Sequence, residues 1–341
     1  MEVGIGGRTR TRAGAEGQWH PPAAGGRPGP GPDRRGPDRG TRVLTPLYDV
    51  APIGLGGAHV ESLTGYVTRL AGEHCVRPER LLREVVRRRP EVGRGMLDPR
   101  FFAVDSRSAD GLGRYAARLS RALEYLTGRQ DLHYLTMLRW SGLLDRTGKG
   151  MFRLRRAWCP RCFRDQLAAG QPVYEPLLWR FRATRICDVH GTRLRECCVA
   201  CGSPQPTIPR LGATGMCGVC GSFLGLPDGC AEARSRAPPL VERWSMAALR
   251  GMLQRHGRKR GVGARAQMLA RMETAWRRPS VTAAARQQVR RMYAQWRTKG
   301  CLPTLAGLFR FAMATRTQPV WLLEGVACDD GDPLEADEIP G

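Results

Sequence analysis

Four short turns of the same length constrain this chain more than any other feature of its sequence. Each turn carries two ligand-type residues separated by two positions: Cys159 and Cys162, Cys187 and His190, Cys198 and Cys201, Cys217 and Cys220. A tight turn at this spacing points two side chains at one ion, and Gly191, Gly202 and Gly221 each follow such a pair. Tetrahedral zinc takes four such ligands, which is two pairs for each ion. The sequence therefore predicts two structural zinc sites, with two ions per chain.

Neighbouring pairs give the simplest assignment of ligands to ions. The third and fourth pairs have the spacing C-x2-C-x15-C-x2-C, which is typical of a zinc ribbon. The first and second pairs then form a site of three cysteines and one histidine, with 24 residues between Cys162 and Cys187. Two alternatives are open at this point. The pairs could interleave, as in cross-brace domains, and Cys197 could replace the adjacent Cys198 as a ligand.

The cysteine count alone would also suit a secreted protein held by disulfides, since the chain has 12 cysteines. Residues 1–42 contain no apolar segment of the kind that a signal peptide needs. The sequence has no apolar run of roughly eighteen residues, so no membrane span is predicted. We therefore expect a cytoplasmic chain that makes no membrane contact and keeps its thiols reduced, in which paired cysteines bind metal.

The chain is strongly basic, with 55 Lys and Arg residues against 31 Asp and Glu and a formal net charge of +24. Most of the basic residues are arginine, which makes bidentate contacts with phosphate. A basic surface attracts polyanions, so nucleic acid is the expected partner. The alternative is an arginine-rich composition whose excess charge is only solvated. The basic excess continues inside the segments predicted to fold, which favours nucleic acid.

Composition divides the chain into five segments. Residues 1–42 are rich in Gly, Pro and Arg and are predicted to be a disordered arm, because they cannot bury enough apolar surface. Residues 43–150 are predicted to be helical, and residues 151–230 hold the paired cysteines. Helical periodicity returns over residues 240–327, and residues 328–341 form an acidic tail. The predicted fold class is mainly α, with an N-terminal helix-turn-helix-like bundle, two small zinc modules and a C-terminal helical domain.

Two short helices are predicted within residues 60–90. Apolar residues from Leu63 to Ala71 recur on one helical face, and Pro78 suits the first position of the next helix. This pattern is compatible with a DNA-reading helix-turn-helix and equally with any small helical bundle. The second helix carries the arginines that are candidate DNA contacts: Arg80, Arg83, Arg87 and Arg88. Further helices are predicted over about 111–126, 131–140, 243–256, 264–276, 281–297 and 304–314.

No catalytic set emerges from the sequence. A zinc deaminase needs His-x-Glu followed by Pro-Cys-x-x-Cys, and here His59 and Glu61 supply only the first part, since no proline precedes Cys159. A site with four protein ligands also leaves no open coordination position. The sequence contains no His-Glu-x-x-His, no P-loop and no dinucleotide-binding glycine motif after a strand. We therefore expect a protein that is not an enzyme.

Residues 43–222 resemble the TniQ family in two successive signatures. The first is similar to the family's opening segment at Glu61, Ser62, Leu63, Tyr66, Arg69, Leu70 and Ala71. The second is similar to the family's cysteine-containing segment at Cys159, Pro160, Cys162, Trp179, Cys187, His190, Gly191, Leu194, Cys198 and Cys201. One residue inside the first signature, Gly65, is unfavourable for the predicted helix. Glycine weakens a helix by up to about 1 kcal/mol relative to alanine.

The resemblance implies an accessory protein of DNA transposition that works beside a transposase and an AAA+ ATPase. Members of the family help to choose the target, either by binding DNA or by bridging a targeting complex to the ATPase. The expected partners are therefore DNA, the ATPase and the transposase, and we also consider a homodimer. Arg185 and Arg193 flank the first zinc site and are further candidate DNA contacts.

Two other functions remain open from the sequence. The chain could be a protein–protein adaptor that does not touch DNA. It could also be a transcriptional regulator, because residues 302–325 resemble the last helices of a lambda-repressor-like domain.

Overall fold

The computed structural model of the protein describes residues 45–93, 95–210, 213–225, 239–255 and 263–325. The predicted disordered arm and the predicted acidic tail lie outside these described residues. Within them the chain is mainly helical, and its β-structure consists of isolated bridges without a sheet. The predicted mainly α fold class is thereby confirmed. None of the described helices is long and apolar enough to cross a membrane.

The first helix, α1 (Leu63–Glu73), is fixed at its start by a side-chain cap. Ser62 Oγ accepts a hydrogen bond from the Gly65 N–H at 3.0 Å, which satisfies one of the free donors of the first turn. A Cβ atom at Gly65 would lie 2.9 Å from that oxygen and 3.4 Å from the Glu175 Cβ. Glycine therefore lets the first turn of α1 pack closely against the chain at Glu175.

The second predicted helix is shorter and less regular than the sequence suggests. Regular α-helix α2 covers only Pro78–Arg80, and the chain continues as a π-helical turn over Leu81–Val85 and a 3-10 turn over Val86–Arg88. The N–H of Val86 is bonded to the carbonyls of both Leu81 and Leu82, which is the widened pattern of a π-turn. Leu81 and Leu82 are both buried by this arrangement. The segment thus pairs with α1 without forming a long straight helix.

The remaining helices of the described residues follow in chain order, with 3-10 turns between them. The helices are α3 (Pro99–Ala103), α4 (Arg114–Thr127), α5 (Pro160–Ala168), α6 (Leu240–Gln254), α7 (Ala264–Arg277), α8 (Ala283–Thr298), α9 (Leu305–Ala314) and α10 (Pro319–Glu324). The 3-10 turns cover Asp105–Asp110, Leu132–Leu135, Leu138–Trp140 and Leu177–Arg180. The single helix predicted over 131–140 is therefore wrong, since two separate 3-10 turns occupy that segment.

A buried ionic network ties α1 to the cysteine-containing segment. The carboxylate of Asp110 accepts hydrogen bonds from the N–H and the hydroxyl of Thr64, each at 2.9 Å, and from Arg180 Nε at 3.0 Å. Arg180 also donates to Thr207 Oγ1 at 2.9 Å. Burial raises the pKa of Asp110, while the Arg180 charge and the Thr64 bonds oppose that effect. Removing either partner would leave an unpaired buried charge, so the pair specifies how the segments fit together.

A second buried ion pair explains two residues of the first signature. Glu61 receives two parallel hydrogen bonds from Arg69, at 2.9 Å from Nε and 2.7 Å from Nη2. Arg69 also donates to the carbonyl of Ala51 at 2.7 Å, and the Glu61 side chain is fully buried. Glu61 and Arg69 therefore hold the segment before α1 onto the helix. The glutamate of the His-x-Glu pattern thus has a structural role.

The helices before and after the cysteine-containing segment share one apolar core. Buried side chains of α1 and α4 belong to the same contiguous cluster as those of α6 to α10. A smaller cluster surrounds the cysteines and includes Trp158, Phe163 and Trp179. The metal-ligand residues thus lie beside a continuous helical core.

Candidate metal centres and a basic cleft

The first candidate metal centre gathers Cys159, Cys162, Cys187 and His190. Their ligand atoms all lie within 4.8 Å of one another. The sulfur atoms of Cys162 and Cys187 are 3.5 Å apart, and His190 Nδ1 lies 3.2 Å from Cys162 Sγ and 3.4 Å from Cys159 Sγ. Cys159 precedes α5 and Cys162 lies in its first turn, so the helix start places both thiols on the same side. The first two pairs therefore form one site.

The turn that carries Cys187 and His190 has a geometry that recurs in the other two loop turns. The N–H of Gly191 donates to the Cys187 carbonyl at 2.8 Å, and the Cys187 N–H donates to the Thr192 carbonyl at 2.8 Å. Gly191 has φ of +65°, a left-handed conformation that glycine adopts at little cost. Gly202 and Gly221 occupy the same position with φ of +69° and +75°. The glycine after each pair therefore closes the turn, as the sequence predicts.

Asp165 orients the histidine of the first centre. Its Oδ2 atom lies 2.8 Å from His190 Nε2, on the side of the ring away from the cysteines. A ligating histidine commonly donates its other N–H to a carboxylate, which fixes the ring and strengthens the ligand nitrogen. Sequence reasoning missed Asp165, although it lies three residues after Cys162 on α5, where the i and i+3 positions share a face.

The second candidate metal centre gathers Cys198, Cys201, Cys217 and Cys220 within the same 4.8 Å limit. Cys198 and Cys220 sulfurs are 3.8 Å apart, and Cys201 and Cys217 sulfurs are 3.7 Å apart. Each site is therefore formed by two pairs that are neighbours in the sequence. Among the described residues the ligand pairs do not interleave as in a cross-brace domain. Cys197 is exposed and lies outside both groups, so Cys198 holds the ligand position.

Gln205 supports the second centre from a fully buried position. Its amide nitrogen donates to the Ser203 carbonyl at 2.9 Å and lies 3.2 Å from Cys217 Sγ. Its amide oxygen accepts from the Gly218 N–H at 2.8 Å. This side chain links the two cysteine turns to each other. Nothing in the spacing pattern indicates Gln205, because it belongs to neither turn.

The geometry of both groups fits a tetrahedral ion. Four ligands at a zinc–sulfur distance of about 2.3 Å place neighbouring sulfurs about 3.8 Å apart. The observed sulfur–sulfur distances run from 3.5 to 3.8 Å. Both groups could therefore hold a metal ion, each through four protein ligands.

Close contact between the thiols separates their pKa values. Hydrogen bonds from the neighbouring thiols of Cys162 and Cys187 lower the pKa of Cys159, and the Cys159 and Cys187 thiols raise the pKa of Cys162. In the second group, the Ser222 hydroxyl lowers the pKa of Cys220 to about 6, and burial raises the pKa of Cys198 to about 11. Each group thus contains at least one thiol with a lowered pKa, and the other thiols have to release their protons when a cation binds.

An ionic contact joins the first centre to distant parts of the chain. Asp188 lies between two ligand residues, and its side chain is only 2 % exposed. Its Oδ2 atom is 2.7 Å from His59 Nε2 and 3.5 Å from Arg250 Nε on α6. The first centre is therefore attached both to the segment before α1 and to the C-terminal helices.

A large basic cleft lies next to the first centre. Its volume is about 1210 Å³, and three segments line it, over residues 105–115, 146–155 and 182–196. Two carboxylates line it, Asp105 and Glu196, against nine cations, which is an excess of seven positive charges. The cations are Arg107, Arg114, Arg146, Lys149, Arg153, Arg155, Arg182, Arg185 and Arg193.

Most of these cations have no carboxylate partner among the described residues. Arg153 pairs with Glu196, and Arg185 lies 3.4 Å from Glu242 of α6. The other seven make no ion pair with a described carboxylate, and most of them are exposed. A partner of opposite charge would therefore find free guanidinium groups along the whole cleft.

The candidate DNA contacts divide between two places. Arg185 and Arg193 line the cleft, whereas none of the four arginines predicted on the second helix belongs to its lining. Of those four, Arg83 is bound to Glu79 at 2.9 Å and lies over the Phe102 ring, and Arg88 lies 3.8 Å from Glu84. Arg80 and Arg87 are exposed. Sequence reasoning missed seven of the nine cleft cations.

Comparison with known proteins links this structure to one family. Residues 52–194 match the family model described as TniQ. The match contains the first candidate metal centre and ends before Cys198, so the second centre lies outside it. No curated protein matches the sequence.

Proposed function

We propose that the chain is a non-catalytic accessory protein that binds target DNA. Residues 52–194 match the TniQ family model, which makes this a transposition-associated protein. In this role it helps to select the target, or bridges the target to an AAA+ ATPase and a transposase. The basic cleft is the observation that carries the proposal. Two structural zinc ions hold the shape of the surface beside it.

The composition of the cleft supports a polymeric anion over a small ligand. Pockets for small molecules are about 300–1,000 Å³ and mostly apolar. This cleft is larger, at about 1210 Å³, and seven excess positive charges line it. Arginine side chains from separate segments suit phosphates that follow one another along a strand. Contacts of this kind position the protein on DNA without reading its sequence.

Zinc is the ion that the ligand sets favour. Both groups consist of cysteine thiolates with at most one histidine, and four such ligands are typical of structural zinc. Metal analysis of protein purified without chelators should give two zinc ions per chain, one for each group of four ligands. One ion per chain would show that one of the two groups does not bind zinc.

The DNA-binding proposal can be tested by fluorescence anisotropy with a labelled duplex. Affinity should fall steeply with salt, with a slope of log K against log salt of about −0.9 for each phosphate contact. Replacing Arg155, Arg182 and Arg193 together with alanine should reduce the slope by about 3 and weaken binding at low salt. No binding at low salt would refute the proposal.

A matched control comes from the second helix. The triple replacement of Arg80, Arg87 and Arg88 with alanine removes the same charge from side chains outside the cleft. This variant should keep most of the salt slope of the wild type. If it loses more affinity than the cleft variant, the helix and not the cleft is the DNA-binding surface.

The adaptor function is tested separately through the protein partner. Co-purification of the AAA+ ATPase that resists nuclease treatment would show a direct protein contact. In that case the cleft variant should still capture the ATPase, because its changes affect DNA binding only. Loss of ATPase capture together with DNA binding would place the protein partner in the same cleft.

A further inference from the structure

The C-terminal helices carry an unusual distribution of charge. From Thr274 to Leu323 the chain contains nine basic residues and no acidic one. Exposed helices commonly carry both signs of charge, with opposite charges paired at i and i+4. Arg277 pairs with Glu273, which lies just before this stretch. Arg290, Arg291 and Arg297 of α8 make no ion pair with a described carboxylate. A polyanion has the sign of charge needed to pair with them.

Within this stretch, α8 presents one uniform exposed face. Val289, Tyr293 and Trp296 form its buried side. At 100° for each residue, Gln287, Arg291 and Gln295 point to the opposite side, and all three are exposed. Small residues, Ala283, Ala284, Ala294 and Thr298, occupy the exposed positions between them, and Gln288 is exposed beside Gln295. The long polar side chains on this side are therefore the groups that extend furthest from the helix.

One flank of the same helix carries cations. Arg290 and Arg297 are exposed and lie together on that flank, about 100° and 120° around the helix from Arg291. A helix in the major groove turns its centre to the base edges and its flanks to phosphates, so this flank suits contacts with the phosphates of one strand.

The helix is held firmly on its buried side. Thr282 Oγ1 accepts from the Ala285 N–H at 3.3 Å at the start of α8. Arg286 donates to the carbonyls of Arg278 and Val281, at 3.0 and 3.1 Å, which fixes the connection from α7. Tyr293 donates to Glu273 of α7 at 2.9 Å. The exposed face is thus presented on a rigid pair of helices joined by a short turn.

We propose that α8 enters the major groove of duplex DNA and reads base edges with Gln287, Arg291 and Gln295. Arg290 and Arg297 then contact the phosphates beside the groove. Glutamine forms two hydrogen bonds with adenine, and arginine forms two with guanine, so this row distinguishes purines. The groove is about 12 Å wide and admits one α-helix. This sequence reading goes beyond the phosphate binding assigned to the cleft.

The test uses the full chain loaded with zinc and a duplex library with a randomised central tract. Selection should enrich a common sequence. Anisotropy then compares the selected duplex with a scrambled duplex of the same length and base composition. Replacing Gln287 and Arg291 with alanine should lower the preference for the selected duplex by roughly tenfold or more, since each bidentate contact contributes about 5- to 150-fold.

Two further variants separate sequence reading from loss of charge. The double variant Gln287→Ala and Gln295→Ala leaves the charge unchanged and should also reduce the preference. Arg310→Ala removes one charge from an exposed position of α9 and should leave the preference intact. Circular dichroism should show an unchanged fold, because alanine is favourable at exposed helix positions.

Three results would overturn this inference. The first is that the wild type enriches no sequence, and the second is that both α8 variants keep the wild-type preference. The third is that Arg310→Ala reduces the preference as much as the α8 variants do. In each case salt-dependent binding to the scrambled duplex would persist if the cleft binds DNA, so the two proposals fail independently.

Discussion

The two metal centres are built from the same turn but differ in how the rest of the chain encloses them. In the first, two ligands are buried and two are half-buried, and the neighbouring Asp188 is attached to α6 and to the segment before α1. In the second, Cys198 and Cys217 are buried, and Cys201 and Cys220 are exposed. The same local chemistry therefore forms a more enclosed site in the first case and a more exposed site in the second.

The largest expected difference concerns folding. Cys187→Ser removes a buried ligand of the first centre, and a metal bound there would join segments attached to α6 and to the chain before α1. Because binding of a structural zinc is coupled to folding, with about 10–16 kcal/mol of apparent binding energy, this variant should be largely insoluble. Cys220→Ser in the exposed part of the second centre should stay soluble and bind one zinc ion instead of two. Soluble yield and zinc content measure both effects.

Limited proteolysis gives the matching control for this pair. In Cys220→Ser, new cleavage should be concentrated in residues 197–225, because all four ligands of the second centre lie in that segment. If both variants are equally soluble and show equal cleavage, the contrast between the two centres is wrong. Circular dichroism of the soluble variant should retain the helical signal.

The ligand residues could be predicted from the sequence because each pair is local. The spacing of two residues and the following glycine determine a turn, and a turn determines where its two thiols point. The cleft could not be predicted in this way. Its cations come from residues 105–115, 146–155 and 182–196, and only the tertiary fold brings these segments together.

The helices show the same limit at a smaller scale. The long amphipathic patterns after residue 240 predict α6 to α9 well, because burial of one face and helical periodicity agree there. The segments at 81–88 and 131–140 contain apolar residues at helical spacing, yet they form π-helical or 3-10 turns. Tertiary packing decides such short segments, and periodicity does not reveal it.

The next difference concerns the residues that support the ligands. Asp165→Ala removes the carboxylate that orients His190, so zinc affinity of the first centre should fall by about 10- to 100-fold. Asp165 is about half exposed, at 48 %, so solubility should be retained. Competition with a chromogenic chelator should then release zinc from the first centre before the second.

The corresponding change in the second centre reverses that order. Gln205→Ala removes the amide that bridges the two cysteine turns, so the second centre should release its zinc first. Equal release from both centres in either variant would show that Asp165 and Gln205 do not act on one centre each. Alkylation shows which centre has released its ion. The cysteines of the first centre lie within residues 159–187 and those of the second within 198–220, and only the cysteines of the emptied centre should become reactive.

The smallest effect concerns the attachment of the first centre to the C-terminal helices. Arg250 of α6 reaches Asp188 at 3.5 Å from a partly exposed position, with 43 % of its side chain accessible. A pair of this kind contributes at most about 1 kcal/mol, because solvent screens it. Arg250→Ala should therefore lower the free energy of unfolding by about 0.5 kcal/mol in a urea titration. Arg243→Ala, an exposed position on the same helix with no ion pair to a described carboxylate, should leave it unchanged. A loss of several kcal/mol in Arg250→Ala would mean that the charge of Asp188 depends on Arg250 and that His59 alone does not compensate it.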